Sequence, residues 1–375
     1  MTKVFIEASN IITSLGFSTK ENLGSLLNGE TGIKMCSNTL LSPKPFPASF
    51  IDDGKINDKF QAINTNKEYT RFEKLSILSV QEALKSSVID LTRSRTLFIL
   101  SSTKGNVELL DDNLRNGFPK ERLNLHTTAK IISGFFNINN PPVVVSNACI
   151  SGIAAIITGQ RLISQGLYDH VIVNGTDVLS KFVVSGFQSF LSLSAKPCKP
   201  FDANRDGLTL GEGSATIILT KNKYSIEIVN GATSNDANHI SGPSRTGEGL
   251  LIAINKAKKN YKNIDLLSAH GTATPYNDDM ESKAITRAGL GSVPTNSLKG
   301  YFGHTLGAAG VIESIISLEA LKKNILIKTV GCETPGTAES INIIQETREH
   351  QLNSLLKFAS GFGGSNAAAL FLKHE

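Results

Sequence analysis

The sequence predicts an α/β layered fold, and three observations carry that prediction. Strand-like and helix-like stretches alternate along the chain. Thr96-Leu97-Phe98-Ile99-Leu100 is almost wholly apolar at consecutive positions, as expected of a strand covered on both faces. Val143-Val144-Val145-Ser146-Asn147-Ala148-Cys149 runs directly into Ile150-Ser151-Gly152-Ile153-Ala154-Ala155-Ile156, which reads as strand, tight turn and buried helix.

The elements follow in order. Residues 3–8 read as a strand, and Thr19 to Leu27 as a capped amphipathic helix. Residues 36–60 carry three prolines and no clear period, so they read as surface loop. Glu73 to Lys85 has helical apolar spacing through Leu75, Ile77, Leu78, Val80, Ala83 and Leu84. The polar segment 103–140 is expected to hold helices with loops. The helix after Cys149 continues to about Gln165, with strands at Val171–Val173 and Ala215–Leu219. From Ser225 the pattern starts again: strand at 226–229, helix near 248–259, strand at 264–268, then helices at 279–287 and 303–320. Strands at Leu355–Ala359 and Ala367–Leu372 flank a glycine turn.

Bulk composition excludes several classes. With 375 residues, 40% hydrophobic and 19% charged, the chain can bury one large core or two fused ones. No apolar stretch approaches the eighteen or so residues that span a bilayer, and no secretory leader is visible after Met1. Four cysteines, Cys36, Cys149, Cys198 and Cys332, are scattered without paired spacing, which argues against a disulfide framework or a zinc knuckle and fits a reducing cytoplasm. The net charge of +5, without clustered Lys/Arg runs, argues against nucleic acid and suits an acidic protein partner.

Four stretches carry chemistry. Cys149 sits on a turn at or next to a helix N-terminus, where unpaired N–H groups favour a thiolate. The same stretch is compatible with a small buried hydrophobe. His270, in Ala269-His270-Gly271-Thr272-Ala273-Thr274-Pro275, follows an apolar strand at the end where α/β sheets place ligands. A second histidine, His304, opens a helix of small residues in Lys299-Gly300-Tyr301-Phe302-Gly303-His304-Thr305-Leu306-Gly307-Ala308-Ala309-Gly310, and a helix N-terminus disfavours the protonated imidazole. Ser360-Gly361-Phe362-Gly363-Gly364-Ser365-Asn366 frees the backbone to point N–H groups inward, as an oxyanion hole requires. Read alone, the last three are equally a surface turn, a packed core helix and a hairpin with an aromatic plug.

Together these stretches resemble the β-ketoacyl-acyl carrier protein synthases of the thiolase superfamily. Pro200-Phe201-Asp202-Ala203-Asn204-Arg205-Asp206-Gly207, Gly211-Glu212-Gly213 and Ser185-Gly186-Phe187 match as well, and the similarity runs from Val4 almost to the C-terminus. The resemblance implies a thiolase-like five-layer αβαβα fold of two similar halves, divided here as 1–222, carrying the nucleophile, and 223–375, carrying both histidines. It implies that Cys149 accepts the acyl group and that His270 and His304 hold the malonyl thioester carbonyl and stabilise the enolate. Lys299 then supports the histidines, through Glu313, and Asp278 is the acidic residue after the first histidine turn. The amides of Cys149 and Phe362 form the oxyanion hole, Phe362 also gates the pocket, and Thr272 and Thr274 bind the phosphopantetheine arm. No cofactor or metal is implied beyond the pantetheine of an acyl carrier protein, and the partners are that carrier and a second ketosynthase-like subunit in a homodimer or heterodimer. Asn147 stands where threonine is common in the family, and 103–140 matches it poorly.

The expected activity is decarboxylative Claisen condensation in fatty acid or polyketide/polyene elongation. A degradative thiolase needs a second cysteine where this chain has Phe362, and initiating synthases carry asparagine at the place of His304. The alternatives are a chain-length-determining partner subunit, which typically lacks the cysteine, and a cysteine-histidine hydrolase, which needs an attacking water.

Overall fold

Ten strands of the main sheet and six of the helices build five layers in the computed structural model, which describes residues 2–64, 68–115 and 117–374. The first five strands are β1 (Phe5–Ile12), β2 (Thr96–Ser101), β3 (Val143–Val145), β4 (His170–Asp177) and β5 (Gly213–Thr220), ordered β3-β2-β4-β5-β1. The next five are β6 (Ile226–Asn235), β7 (Leu266–Ser268), β8 (Thr295–Asn296), β9 (Ser354–Gly361) and β10 (Ser365–Lys373), ordered β8-β7-β9-β10-β6. In each set three strands run parallel and the last two pairings are antiparallel, so the second set repeats the topology of the first. The sets meet edge to edge where Phe5 pairs with Glu227 and the Ile228 amide donates to the Val4 carbonyl at 2.9 Å.

Layering follows from the alternation of side chains along doubly covered strands. Leu97, Ile99, Val171, Val173, Ile217 and Leu219 point into a central core. Their neighbours Phe98, Leu100, Ile172 and Ile218 point into an outer one. The second sheet does the same, with Leu355 inward and Leu356 and Phe358 outward. Each such side chain contributes about 1.5–3 kcal/mol on burial.

The helices, in chain order, are α1 (Thr19–Leu27), α2 (Asp53–Gln61), α3 (Arg71–Leu84), α4 (Leu125–Phe135), α5 (Ser151–Ser164), α6 (Lys181–Ser189), α7 (Glu248–Lys258), α8 (Pro275–Arg287) and α9 (Ala309–Lys323). α5 and α9 form the middle layer, α3 and α4 cover the first sheet, and α7 and α8 cover the second. α9 is buried on nearly every side, as a helix between two sheets must be. The middle helices approach closely: a Cβ on Gly152 would lie 2.7 Å from the Val311 nitrogen, and one on Gly310 would lie 2.6 Å from the Ile153 nitrogen. We therefore expect Gly152→Ala to lower stability by about 1–3 kcal/mol through overpacking, read as a reduced unfolding midpoint in urea.

Three expectations are corrected. Residues 36–60 are not one surface loop: Phe46–Ser49 is a fully buried strand paired with Ile33–Cys36 and with Leu210–Gly211, and α2 follows. Proline is tolerated because the pairing with Leu210–Gly211 begins only at Ala48, so Pro47 stands at an unpaired edge on that side. The helix expected at 279–287 starts earlier, at Pro275, because proline at the first helical position lacks only an N–H that would be unpaired anyway. The helix expected at 303–320 is interrupted: Lys299–Phe302 forms one turn, the chain kinks at Gly303 and Leu306 with φ of 68° and 53°, and the long helix begins at Ala309. Segment 103–140 is short helical pieces and α4, apart from Asn116, which lies outside the described residues.

Candidate active site

Cys149 follows β3, His270 follows β7, Lys299 and His304 follow β8, and Phe362 follows β9. Every one is at the carboxyl end of its strand, where a doubled parallel sheet leaves a crevice. The tertiary structure brings these distant segments together.

The Cys149 turn is locally strained. Ala148 has φ of 44°, and Ser151 closes the turn by donating from Oγ to the Ala148 carbonyl at 2.6 Å while accepting from the Asn147 amide at 2.8 Å. Helix α5 begins at Ser151 with Ile150 as its cap, so Cys149 lies on the turn next to the helix N-terminus, as expected. Burial opposes the thiolate that the helix terminus is expected to favour. Burial pushes the Cys149 thiol up to about 11, against the opposing charge of Lys299 and the amide of Phe362. Helix-terminal charge falls off within a turn, and loss of water outweighs it here. Alkylation of Cys149 by iodoacetamide, followed by peptide mass spectrometry, should accelerate about tenfold per unit between pH 7 and 10. A rate already at its plateau at pH 7 would contradict the protonated resting thiol.

Both imidazoles face this sulfur. His304 Nε2 lies 3.0 Å from Cys149 Sγ, and the nearest ligand-type atoms of Cys149, His270 and His304 all fall within 4.8 Å of one another. The rings of His270 and His304 meet edge to face at 5.1 Å. Burial, then the Lys299 ammonium, hold both imidazoles well below their ordinary range, so both are neutral. Lys299 Nζ donates to His270 Nδ1 at 3.2 Å, which leaves the His270 proton on Nε2. His304 does not open a helix as expected; it sits in the kink, where its amide donates to the Thr209 carbonyl at 2.7 Å.

Behind the histidines lies a buried charge cluster. Lys299 Nζ donates to Glu313 Oε1 at 2.5 Å, and Lys357 Nζ donates to Glu313 Oε2 at 2.6 Å. The two ammonium groups hold the Glu313 carboxyl below its ordinary range despite its burial. The cluster as a whole is positive, which suits an anion in front of it. The three donor atoms of Cys149, His270 and His304 are also close enough to grip a cation, but two ammoniums behind them oppose a dication.

The turn after His270 is pinned by carboxylates. Asp278 accepts from the amides of Phe201, Thr272 and Ala273, and Glu281 accepts from those of His270 and Gly271 at 2.7 and 2.6 Å. Burial raises Asp278 to about 6 and Glu281 to about 7. Thr272 and Thr274 hydroxyls bond each other at 2.9 Å and line a cavity of about 500 Å³ that contains Cys149 and both histidines. Phe362 stacks on Phe187 at 5.7 Å and meets Phe190 edge-on at 5.2 Å across that cavity. A Cβ on Gly361 would lie 3.0 Å from the Cys149 nitrogen, so glycine brings the Phe362 amide to the sulfur.

Sequence reasoning missed Lys357, Glu281 and Asp177. A lone lysine inside Leu355-Leu356-Lys357-Phe358-Ala359 was a visible signal, since charge in a doubly covered strand needs a partner. Glu281 is one helical turn beyond Asp278. Asp177, at the end of β4, accepts from the Ser102 hydroxyl and the amides of Thr103 and Gly307, tying the kink to the first sheet. No sequence-local signal marks it.

A thiol facing two neutral imidazoles at the carboxyl ends of two topologically repeated sheets is an arrangement suited to a condensing enzyme of the thiolase fold. The chain belongs to the β-ketoacyl synthase family: the family's N-terminal domain matches residues 1–224 and its C-terminal domain residues 226–333. It is 27% identical over 412 residues to a 3-oxoacyl-[acyl-carrier-protein] synthase 2 of Staphylococcus aureus, covering 100% of this chain and 99% of the relative. The corresponding synthase of Rhizobium meliloti is 26% identical over 420 residues, with the same coverage. Among solved structures it is similar to a ketosynthase from Xenorhabdus doucetiae, determined in complex with its chain length factor, with a TM-score of 0.89, 25% identity and 100% and 98% coverage. A β-ketoacyl synthase from Burkholderia phymatum gives a TM-score of 0.85 at 26% identity, over the whole of both chains. Among the described residues no helix is long and apolar enough to cross a membrane.

Proposed function

We propose that this chain joins an acyl group to malonyl-acyl carrier protein with loss of carbon dioxide, giving 3-oxoacyl-acyl carrier protein. The observation that carries the reading is the 3.0 Å contact of Cys149 Sγ with His304 Nε2, opposite a His270 whose tautomer Lys299 sets. In the first half-reaction, Cys149 sulfur attacks the acyl thioester. As the new sulfur–carbon bond forms and the old one breaks, the thiol proton leaves on the departing pantetheine sulfur, His304 Nε2–H donates to the attacking sulfur, and the amides of Cys149 and Phe362 hold the oxyanion. Thioester exchange is nearly balanced in energy, so the protonated resting thiol costs only the proton transfer.

In the second half-reaction the malonyl carboxylate leaves as carbon dioxide, and its bonding pair becomes the enolate. His270 and His304 donate to the enolate oxygen, each worth roughly 3–4 kcal/mol in a dry, preorganised site. The enolate carbon attacks the acyl carbonyl on Cys149, and the tetrahedral intermediate expels the Cys149 thiolate, which takes up a proton. No strong base is required. Lys299 and Glu313 support the histidines, Asp278 holds the Thr272 and Thr274 turn for the pantetheine arm, and Phe362 gates the cavity.

The carrier protein brings its own pantetheine, so the chain needs no resident cofactor or metal. Partners are the acyl carrier protein and a second ketosynthase-like subunit, the same or different. The free edge of β3, whose Val143–Val145 side chains are half-buried, supports such a subunit interface. The division into 1–222 and 223–375, and a cytoplasmic location, belong to the same reading. A chain-length partner without activity fits less well, because Cys149, His270, His304 and Lys299 are all retained and gathered. Incubation with acyl carrier thioester should add one acyl mass at Cys149, and malonyl carrier should then yield ketoacyl carrier. Free acid in place of ketoacyl product would support hydrolysis, and no adduct at all would favour the partner reading.

A further inference from the structure

Lys357 is a fully buried cation with no task in the reaction as derived above. It sits in β9 between apolar residues, in register with Ser268 of β7 and Ala369 of β10. Its ammonium makes two contacts: Glu313 Oε2 at 2.6 Å and the carbonyl of Ala269 at 2.9 Å. Ala269 immediately precedes His270. A lone buried ammonium is costly, and a Lys299–Glu313 pair would be neutral without it. The second lysine therefore adds an uncompensated charge behind the imidazoles, which a purely structural position does not need.

We propose that Lys357 is a positioning residue for the condensation: it occupies the second oxygen of Glu313, so that Lys299 stays on His270 Nδ1, and its net positive charge keeps His270 and His304 as neutral donors toward the enolate. The proposal rests on the reading of the site as a decarboxylative condensing centre. The charged and titratable groups around Lys357 are few. Glu313 faces it from α9, Lys299 from the turn at Lys299–Phe302, Glu281 from α8 and His270 from the end of β7. Below about pH 7, where Glu281 takes up a proton, two ammoniums and one Glu313 carboxylate leave the back of the site at +1. Both histidines feel Lys357, and its charge disfavours imidazolium at each.

The sign of the test follows. Lys357→Met leaves the Lys299–Glu313 pair at zero net charge, so the imidazoles bind protons at higher pH. The acid limb of malonyl-carrier decarboxylation should move upward by about one pH unit, costing on the order of tenfold in rate on that limb. Adding Glu313→Gln to Lys357→Met restores a net +1 through Lys299, and the limb should return toward the wild-type position even though the clamp on Ala269 is lost. A Lys357→Met variant slowed by the same factor at every pH, with an unmoved limb, would reduce Lys357 to packing and overturn the proposal. If Lys357→Met fails to fold, the milder Lys357→Gln takes its place, read by histidine-selective nitrogen-15 spectra beside the wild-type chain. Both site imidazoles should take up protons at higher pH in the variant than in the wild-type chain, whereas coincident titrations overturn the idea. A wild-type chain that neither decarboxylates nor condenses would defeat the proposed function instead, and the spectra would still judge Lys357.

Discussion

Cys149→Ala is expected to abolish condensation while leaving the chain folded. The acyl intermediate needs a nucleophile at this point, and no other thiol is available: among the named site residues only Cys149 faces the imidazoles. Loss of a covalent nucleophile costs on the order of 10⁴-fold or more. Packing loses one sulfur atom, so stability should change by about 1 kcal/mol at most. Malonyl decarboxylation should survive at a measurable rate, because its donors are His270 and His304. The two activities are therefore separable by assay: labelled carbon dioxide for decarboxylation, and mass of the carrier-bound product for condensation. A variant that still forms ketoacyl carrier would remove Cys149 from the mechanism.

His304→Ala should damage both steps. His304 Nε2 touches the Cys149 sulfur, so acyl transfer loses the donor that steadies the attacking sulfur. It also loses one of two donors to the enolate, and removal of one such donor costs on the order of 10²–10³-fold. Decarboxylation measured alone isolates the second effect. Normal carbon dioxide release from this variant would contradict the enolate role. The comparison with Cys149→Ala is informative, since one variant spares decarboxylation and the other does not.

Much of the scaffold was readable because doubly covered strands are apolar at consecutive positions. Thr96–Leu100, Val171–Val173 and Ala215–Leu219 lie within β2, β4 and β5, and each feeds two cores by simple alternation. Phe46–Ser49 was not readable. A four-residue strand with proline is recognised by its partners at Ile33–Cys36 and Leu210–Gly211, and such pairing leaves no trace in local composition. The kink at His304 was hidden for a different reason. Small residues suit a helix and a tight bend alike, and what breaks the helix is the approach of Gly303 to the Leu210 carbonyl.

The sequence by itself determined the residue types that can do this chemistry and most of the strand ends that carry them: Cys149, His270 and Phe362 each follow a readable strand, whereas the two-residue strand before Lys299 and His304 emerged only in the structure. Tertiary structure decided their protonation and their partners. Burial, not the helix terminus, sets the Cys149 thiol, and Lys299 selects the His270 tautomer. Lys357 and Glu281 join the site only when β9 and α8 close on β7. The physical reason is that composition and periodicity are local properties, whereas the field at a buried proton is the sum of charges from several distant segments brought within a few ångströms without water between them.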